Sequence, residues 1–173
     1  MNKLLSINDF LDQVEEEYER FIRYKTPFAI VAFQITFVDK DLYSNFLHKV
    51  VIELRNHLDK EIRKTDRICR HRNLLLVMLK NISIEQAKGF INRIFTSIDG
   101  YAKKSYKESN HLNNVTLVDV IIRVLLISYS DLASENMTVS IFNKKYFAEM
   151  IDNLEKYSEY EIWELRLPLI DKI

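Results

Sequence analysis

The sequence predicts an α/β (α+β) domain whose central sheet is mixed, mainly antiparallel and flanked by helices. Three observations predict it. The first is a continuous apolar run, Phe28-Ala29-Ile30-Val31-Ala32-Phe33, of the kind found in strands buried on both faces. The second is a pair of short apolar stretches between Arg67 and Leu79, joined at His71-Arg72-Asn73, which reads as a hairpin. The third is the set of helical apolar stripes that separates these strands. Together they give the order helix, strand, helix, hairpin, helix, strand, helix, strand, which closes a core only as a sheet with helices on its faces.

From Asn8 to Lys25, the spacing of Phe10, Leu11, Val14, Tyr18, Phe21 and Ile22 is helical. Pro27 ends this segment because it disfavours helix at Thr26. The strand Phe28 to Phe37 follows, then a long helix with the stripe Leu47, Val50, Val51, Leu54, Leu58 and Ile62. After the hairpin, Ser83 and Gln86 form a capping-box start. The helix behind it buries Ala87, Phe90, Ile91, Ile94, Phe95 and Ile98, and is expected to fray in the polar stretch from Lys103 to Asn114. Val115 to Tyr129 is rich in β-branched and large aliphatic residues and holds one further strand or two. A helix over Asn143 to Lys156 uses Phe147, Met150, Ile151 and Leu154, and Glu161 to Leu167 alternates as a half-exposed last strand.

The 173 residues suffice for one domain, taken as 1–173, and hardly for two. Lys plus Arg equals Asp plus Glu at 25 each, so no net field draws the chain to nucleic acid or anionic lipid. The longest apolar run, Val115 to Ile127, is broken by Asp119 and Arg123 and falls short of the roughly 20 residues of a membrane span. The lone Cys69 cannot form an internal disulfide, and the first residues lack a signal-peptide core; a cytoplasmic protein is expected. With only two glycines, Gly89 and Gly100, P-loop and Rossmann phosphate loops are excluded, since both need backbone approach that glycine alone permits.

Few residues here combine into chemistry. His48, His57, His71 and His111 show no metal-ligand spacing, and Cys69 with His71 reads as an alternating strand pair. Arg67, Arg70 and Arg72, with His71, form the densest basic cluster, suited to an acidic partner or to phosphates, or simply solvated at a hairpin tip. Tyr101, Tyr106, Tyr157 and Tyr160 are free of core spacing and could line an interface. No convergent acid, base and nucleophile set is found, so no catalytic residue and no cofactor is assigned.

The strand Phe28–Phe37, the Arg20-x-x-Arg23-Tyr24-x-x-Pro27 lead-in, Arg63-x-x-Asp66 and the hairpin followed by a capped helix together resemble the GGDEF diguanylate cyclase family over about Asn8 to Leu167. The resemblance implies a nucleotidyl-cyclase-like, ferredoxin-like core, shared with polymerase palm domains, and a bacterial signalling role. Family members join two GTP molecules with magnesium, held by an acid ending the first strand and another in the Gly-Gly-(Asp/Glu)-Glu-Phe hairpin. Here those places hold Gln34 and Thr36, and the tip reads His71-Arg72-Asn73-Leu74-Leu75. A neutral amide and a hydroxyl cannot balance a metal-triphosphate charge. The guanine-reading positions fare no better. The loop Val38 to Asn45 is short, Asn45 reads equally as a cap, and the helix acid falls on His48. The family's late helix motif survives at most as Lys156, and Ser130 to Phe142 is an insertion without counterpart.

The resemblance thus implies a degenerate domain that is not an enzyme. Its product-inhibition site, by contrast, is matched by Arg63, Asp66 and Arg93. An arginine fork suits a phosphate or guanine edge, and an aspartate accepts from guanine N–H groups, so cyclic di-GMP is the implied ligand. The alternative reading stays beside it: Asp66 satisfies turn amides, Arg63 favours the helix C-terminus, and Arg93 is solvated. On that reading the chain is a ligand-independent module for a protein partner or a homodimer.

Overall fold

The computed structural model describes residues 2–109, 115–130, 144–153 and 161–170. In chain order these form β1 (Leu4–Leu5), α1 (Ile7–Tyr24), β2 (Phe28–Phe37), a 3-10 turn (Lys40–Leu42), α2 (Tyr43–Asp59), β3 (Arg67–His71) and β4 (Leu74–Lys80). They are followed by α3 (Ile84–Ser109), β5 (Val115–Tyr129), α4 (Lys144–Asp152) and β6 (Glu161–Ile170). One six-stranded sheet runs in the order β1-β3-β4-β2-β5-β6. β1 is parallel to β3, and every other pairing is antiparallel.

β2 lies in the middle of this sheet, and its alternation explains the unbroken apolar run. Ala29, Val31, Phe33, Ile35 and Phe37 face α2 and α3, joining Val50, Leu54, Leu58, Phe90, Ile94 and Ile98. Phe28, Ile30 and Ala32 face α1 and α4, with Phe10, Val14, Phe21, Phe147 and Ile151. A strand covered on both sides needs apolar residues at both parities. Gln34 and Thr36 continue the second parity, so they emerge on the α1 and α4 face at the end of β2.

The capping signals hold. Ser83 N donates to Gln86 Oε1 at 3.0 Å and Gln86 N to Ser83 Oγ at 3.2 Å, closing a reciprocal box. Ser6 caps α1 by accepting from Asp9 N at 3.1 Å. Lys25 ends the helix in the left-handed region at φ 58°, as helices often end before a proline.

Two expectations need correction, one open alternative closes, and one strand was not foreseen. α3 does not fray at Lys103 but runs to Ser109, helped by an Asp99–Lys103 pair one turn apart at 2.9 Å. Val115 to Tyr129 is one strand, because it pairs along its whole length with β2 or β6. α2 stops at Asp59, and Ile62 reaches the core from the turn beyond, where its N–H still bonds Leu58 O at 2.9 Å. β1 was not foreseen, since two residues are too short for any periodic signal. Lys156, His111, Tyr157, Tyr160 and the 131–142 part of the expected insertion lie outside the described residues, as do the expected helix start at Asn143 and the continuation of α4 to Lys156.

α2 and α3 are joined by a polar contact with a pH consequence. His57 is buried, with Nδ1 2.7 Å from Ser97 Oγ and its ring edge-on to Tyr101. Burial, and then the nearby Lys60 charge, push its pKa below the ordinary 6.5. The unfolded chain therefore binds a proton more readily than the folded one, and stability rises with pH through this window. Urea midpoints are expected to fall as pH drops below 6.5, then level off once the folded imidazole is also protonated. In a His57→Gln variant this part of the pH dependence should vanish.

Candidate functional site

Two regions hold the residues singled out by the sequence: the end of β2 with the β3–β4 tip, and the α2–β3 turn.

At the tip, His71 pairs with Leu74, so the turn itself is Arg72-Asn73. Arg72 sits at φ 56°, a left-handed conformation that glycine adopts freely and arginine rarely. The tip is tied down on two sides. Asn73 Nδ2 donates to Ile35 O at 2.9 Å while Asn73 O accepts from Ile35 N at 2.9 Å. His71 Nε2 and Arg72 Nη1 each lie 3.6 Å from Asp152 Oδ1 on α4.

Beside this clamp stands Gln34, between Leu74 on β4 and Arg123 on β5. Only 8% of Gln34 is exposed, and its Oε1 is buried without a hydrogen bond among the described residues. Thr36 Oγ1 donates to Ile121 O at 3.3 Å and accepts from Arg123 Nη1 at 3.4 Å. The end of β2 is thus lined by an amide, a hydroxyl and a guanidinium. Among the described residues no three His, Cys, Asp or Glu side chains come together, and this lining does not fit a divalent cation, which takes anionic oxygens and is repelled by an arginine. Arg123 was legible in the sequence only as a break in an apolar run.

His48 and Arg70 meet through Nδ1 and Nη1 at 3.0 Å, spanning α2 and β3. Asn45 lies exposed within the first turn of α2, which begins at Tyr43, and so is not the helix cap.

The α2–β3 turn is built around Asp66, of which 1% is exposed. Its Oδ2 accepts from Arg63 N at 2.8 Å and its Oδ1 from Lys80 N at 3.1 Å. The carboxylate therefore pins the turn to the end of β4. The Arg63 side chain bonds Lys80 O and lies 3.5 Å from Asp66 Oδ1, with 53% of it exposed. Asn2, unmarked in the sequence, donates through Nδ2 to Arg63 O at 2.9 Å and Asp66 O at 3.0 Å. Arg93, on α3, pairs through Nε with Glu61 Oε2 at 3.0 Å and is 58% exposed. The structure thus brings Arg63 and Asp66 into contact and places Arg93 on neighbouring Glu61.

The basic cluster of the hairpin is not one patch. Arg67 folds back on the turn, donating through Nη1 to the carbonyls of Lys64, Thr65 and Asp66 at 3.0–3.2 Å. Arg70 goes to His48 and Arg72 to Asp152. Burial pushes the Cys69 thiol up to about 12, which leaves it inert as a nucleophile. Tyr101 and Tyr106 are exposed. No helix among the described residues is long and apolar enough to cross a membrane.

No family model matches the sequence, and no curated protein does. Solved structures do resemble the fold. The diguanylate cyclase SiaD from Pseudomonas aeruginosa, in complex with its activator SiaC, superposes with a TM-score of 0.60 at 16% identity, over 86% of this chain. This chain spans about half of the SiaD chain, 52%. A DGC protein from Thermotoga maritima gives 0.54 at 14% identity, covering 75% of this chain and 85% of that one. The FimX GGDEF domain from Pseudomonas aeruginosa gives 0.56 at 10% identity, covering 86% and 85%. The fold of this chain is that of the GGDEF domain.

Proposed function

We propose that residues 1–173 act as one catalytically inactive GGDEF-like regulatory domain in bacterial cytoplasmic signalling, working by binding and not by turnover. The observation that carries this reading is the Arg123 guanidinium on Thr36 Oγ1, next to an uncharged Gln34. The cyclase reaction needs magnesium held by carboxylates at the end of this strand, and a fixed cation there opposes both metal and its binding energy. The left-handed Arg72 supports descent from a glycine tip: the backbone keeps a glycine conformation under an arginine side chain that pairs with Asp152.

The ligand proposed for the domain is cyclic di-GMP, at Arg63, Asp66 and Arg93. Arg63 and Arg93 are both exposed, Arg63 at the turn and Arg93 against Glu61, so both forks can turn onto a phosphodiester or a guanine edge. Asp66 serves as a positioning residue, holding the turn that presents Arg63. Calorimetry with cyclic di-GMP is expected to show binding at tens of micromolar or tighter, corresponding to about −6 kcal/mol or better. Arg63→Ala and Arg93→Ala should each weaken it at least tenfold. Absence of heat at these concentrations, or unchanged affinity in both variants, rules the ligand out.

A second reading is favoured by the full engagement of Asp66 with backbone amides: a ligand-independent interaction module. SiaD was solved with a protein activator, which supports protein partnering for this fold. A stoichiometric partner captured equally with and without cyclic di-GMP, by wild type and Arg63→Ala alike, would select it.

A further inference from the structure

The two edges of the sheet differ. β1 is a two-residue edge, too short to template another strand, whereas β6 is a ten-residue edge. β6 pairs with β5 in unbroken register from Val115↔Ile170 to Val124↔Glu161, with no bulge to twist it away. Among the described residues no strand pairs with its outer side. Long, bulge-free edges invite strand addition, and charged residues or a proline on the edge limit which strand can add.

Pro168 fixes which main-chain groups point outward. A proline inside a strand keeps the ladder intact only when its ring nitrogen faces away from the neighbouring strand. Pro168 pairs with Leu117, so residues of its parity, Glu164 and Arg166 among them, turn their N–H and C=O groups to the open side. Leu165 and Leu167 are buried in the core, while Glu164 and Arg166 are exposed side by side along the strand. Arg166 is already aimed: its Nε donates to Asp119 Oδ1 at 2.9 Å, leaving the rest of a five-donor fork.

We propose that this edge pairs with the same edge of a second copy of the chain, antiparallel about a two-fold axis at Leu165. Parity and charge select that register. Shifting by one residue would oppose outward groups to inward ones. An axis at Glu164 sets Glu164 against itself, and one at Arg166 sets Arg166 against itself; in the Leu165 register Pro168 stands opposite Ile162, where its missing N–H ends the pairing, so the junction spans Trp163 to Leu167. The axis at Leu165 sets Glu164 of each copy opposite Arg166 of the other, twice, and extends the Asp119–Arg166 pair into a ladder across the junction. Two six-stranded sheets then run on as one. This inference stands apart from the proposed ligand, because it uses neither Arg63 nor Arg93.

The test is sedimentation velocity on the full chain and two charge variants. Wild type is expected to dimerise at about 100 μM or below. Glu164→Arg places arginine against arginine, and Arg166→Glu places glutamate against glutamate, so each variant alone should be monomeric. An equimolar mixture of the two should dimerise again, since each bears the charges the other lacks, and a folding defect cannot produce that recovery. A monomeric wild type, a dimer indifferent to both variants, or variants that stay monomeric when mixed would each overturn the proposal.

Discussion

Replacing Asp66 by alanine is expected to lower the stability of the fold by about 3 kcal/mol, since it strands two hydrogen-bonded backbone amides in a buried turn. The amides are those of Arg63 and Lys80, so the change uncouples the α2–β3 turn from the end of β4. For a chain of this length that corresponds to a fall in Tm of about 10 °C. Asp66→Asn keeps one acceptor oxygen and should lose roughly half as much. Urea denaturation with an unchanged m-value measures both. A loss below about 1 kcal/mol in the alanine variant would show that the carboxylate is not what fastens the turn.

Phe28→Ala should cost about 4 kcal/mol, the middle of the range for a buried aromatic truncated to alanine. Phe28 is fully buried at the start of β2. Its ring stacks on Tyr129 with centroids 4.6 Å apart and 7° between planes, and meets Phe21 edge-on at 6.3 Å. Such pairs add to the burial term, and the void would open among α1, β2 and β5. Phe28→Leu fills most of that space and should lose no more than half as much. Equal losses in the two variants, read from urea midpoints, would contradict this account of the aromatic cluster.

The elements with strong periodicity were legible. α1 and β2 each carry enough apolar positions for a single period to dominate, and the Ser83–Gln86 box marks its helix start locally. Element ends were less so: the polar stretch after Lys103 stays helical through side-chain pairing that no hydrophobic pattern records. β1 depends on Ile68 and Cys69 of β3, and the role of Asn2 on Arg63 and Asp66, sequence-distant partners that no local rule supplies. At the site, the residues that bring no charge to offset a metal, Gln34 and Thr36, were visible as residue types. Arg123, which completes that lining, was hidden, because it reaches Gln34 only through the β2–β5 register. For Arg63-x-x-Asp66 the spacing pointed equally to a ligand and to a turn. The turn is what the described hydrogen bonds of Asp66 build.

The proposed inactivity as a cyclase rests on the lining of β2's end, so the most direct measurement is product formation. Purified protein incubated with GTP and Mg²⁺ or Mn²⁺ is expected to give no cyclic di-GMP above a protein-free control, at enzyme concentrations where a working cyclase would consume the substrate. Cyclic di-GMP accumulating in proportion to protein, and lost in a Gln34→Ala variant, would contradict the account.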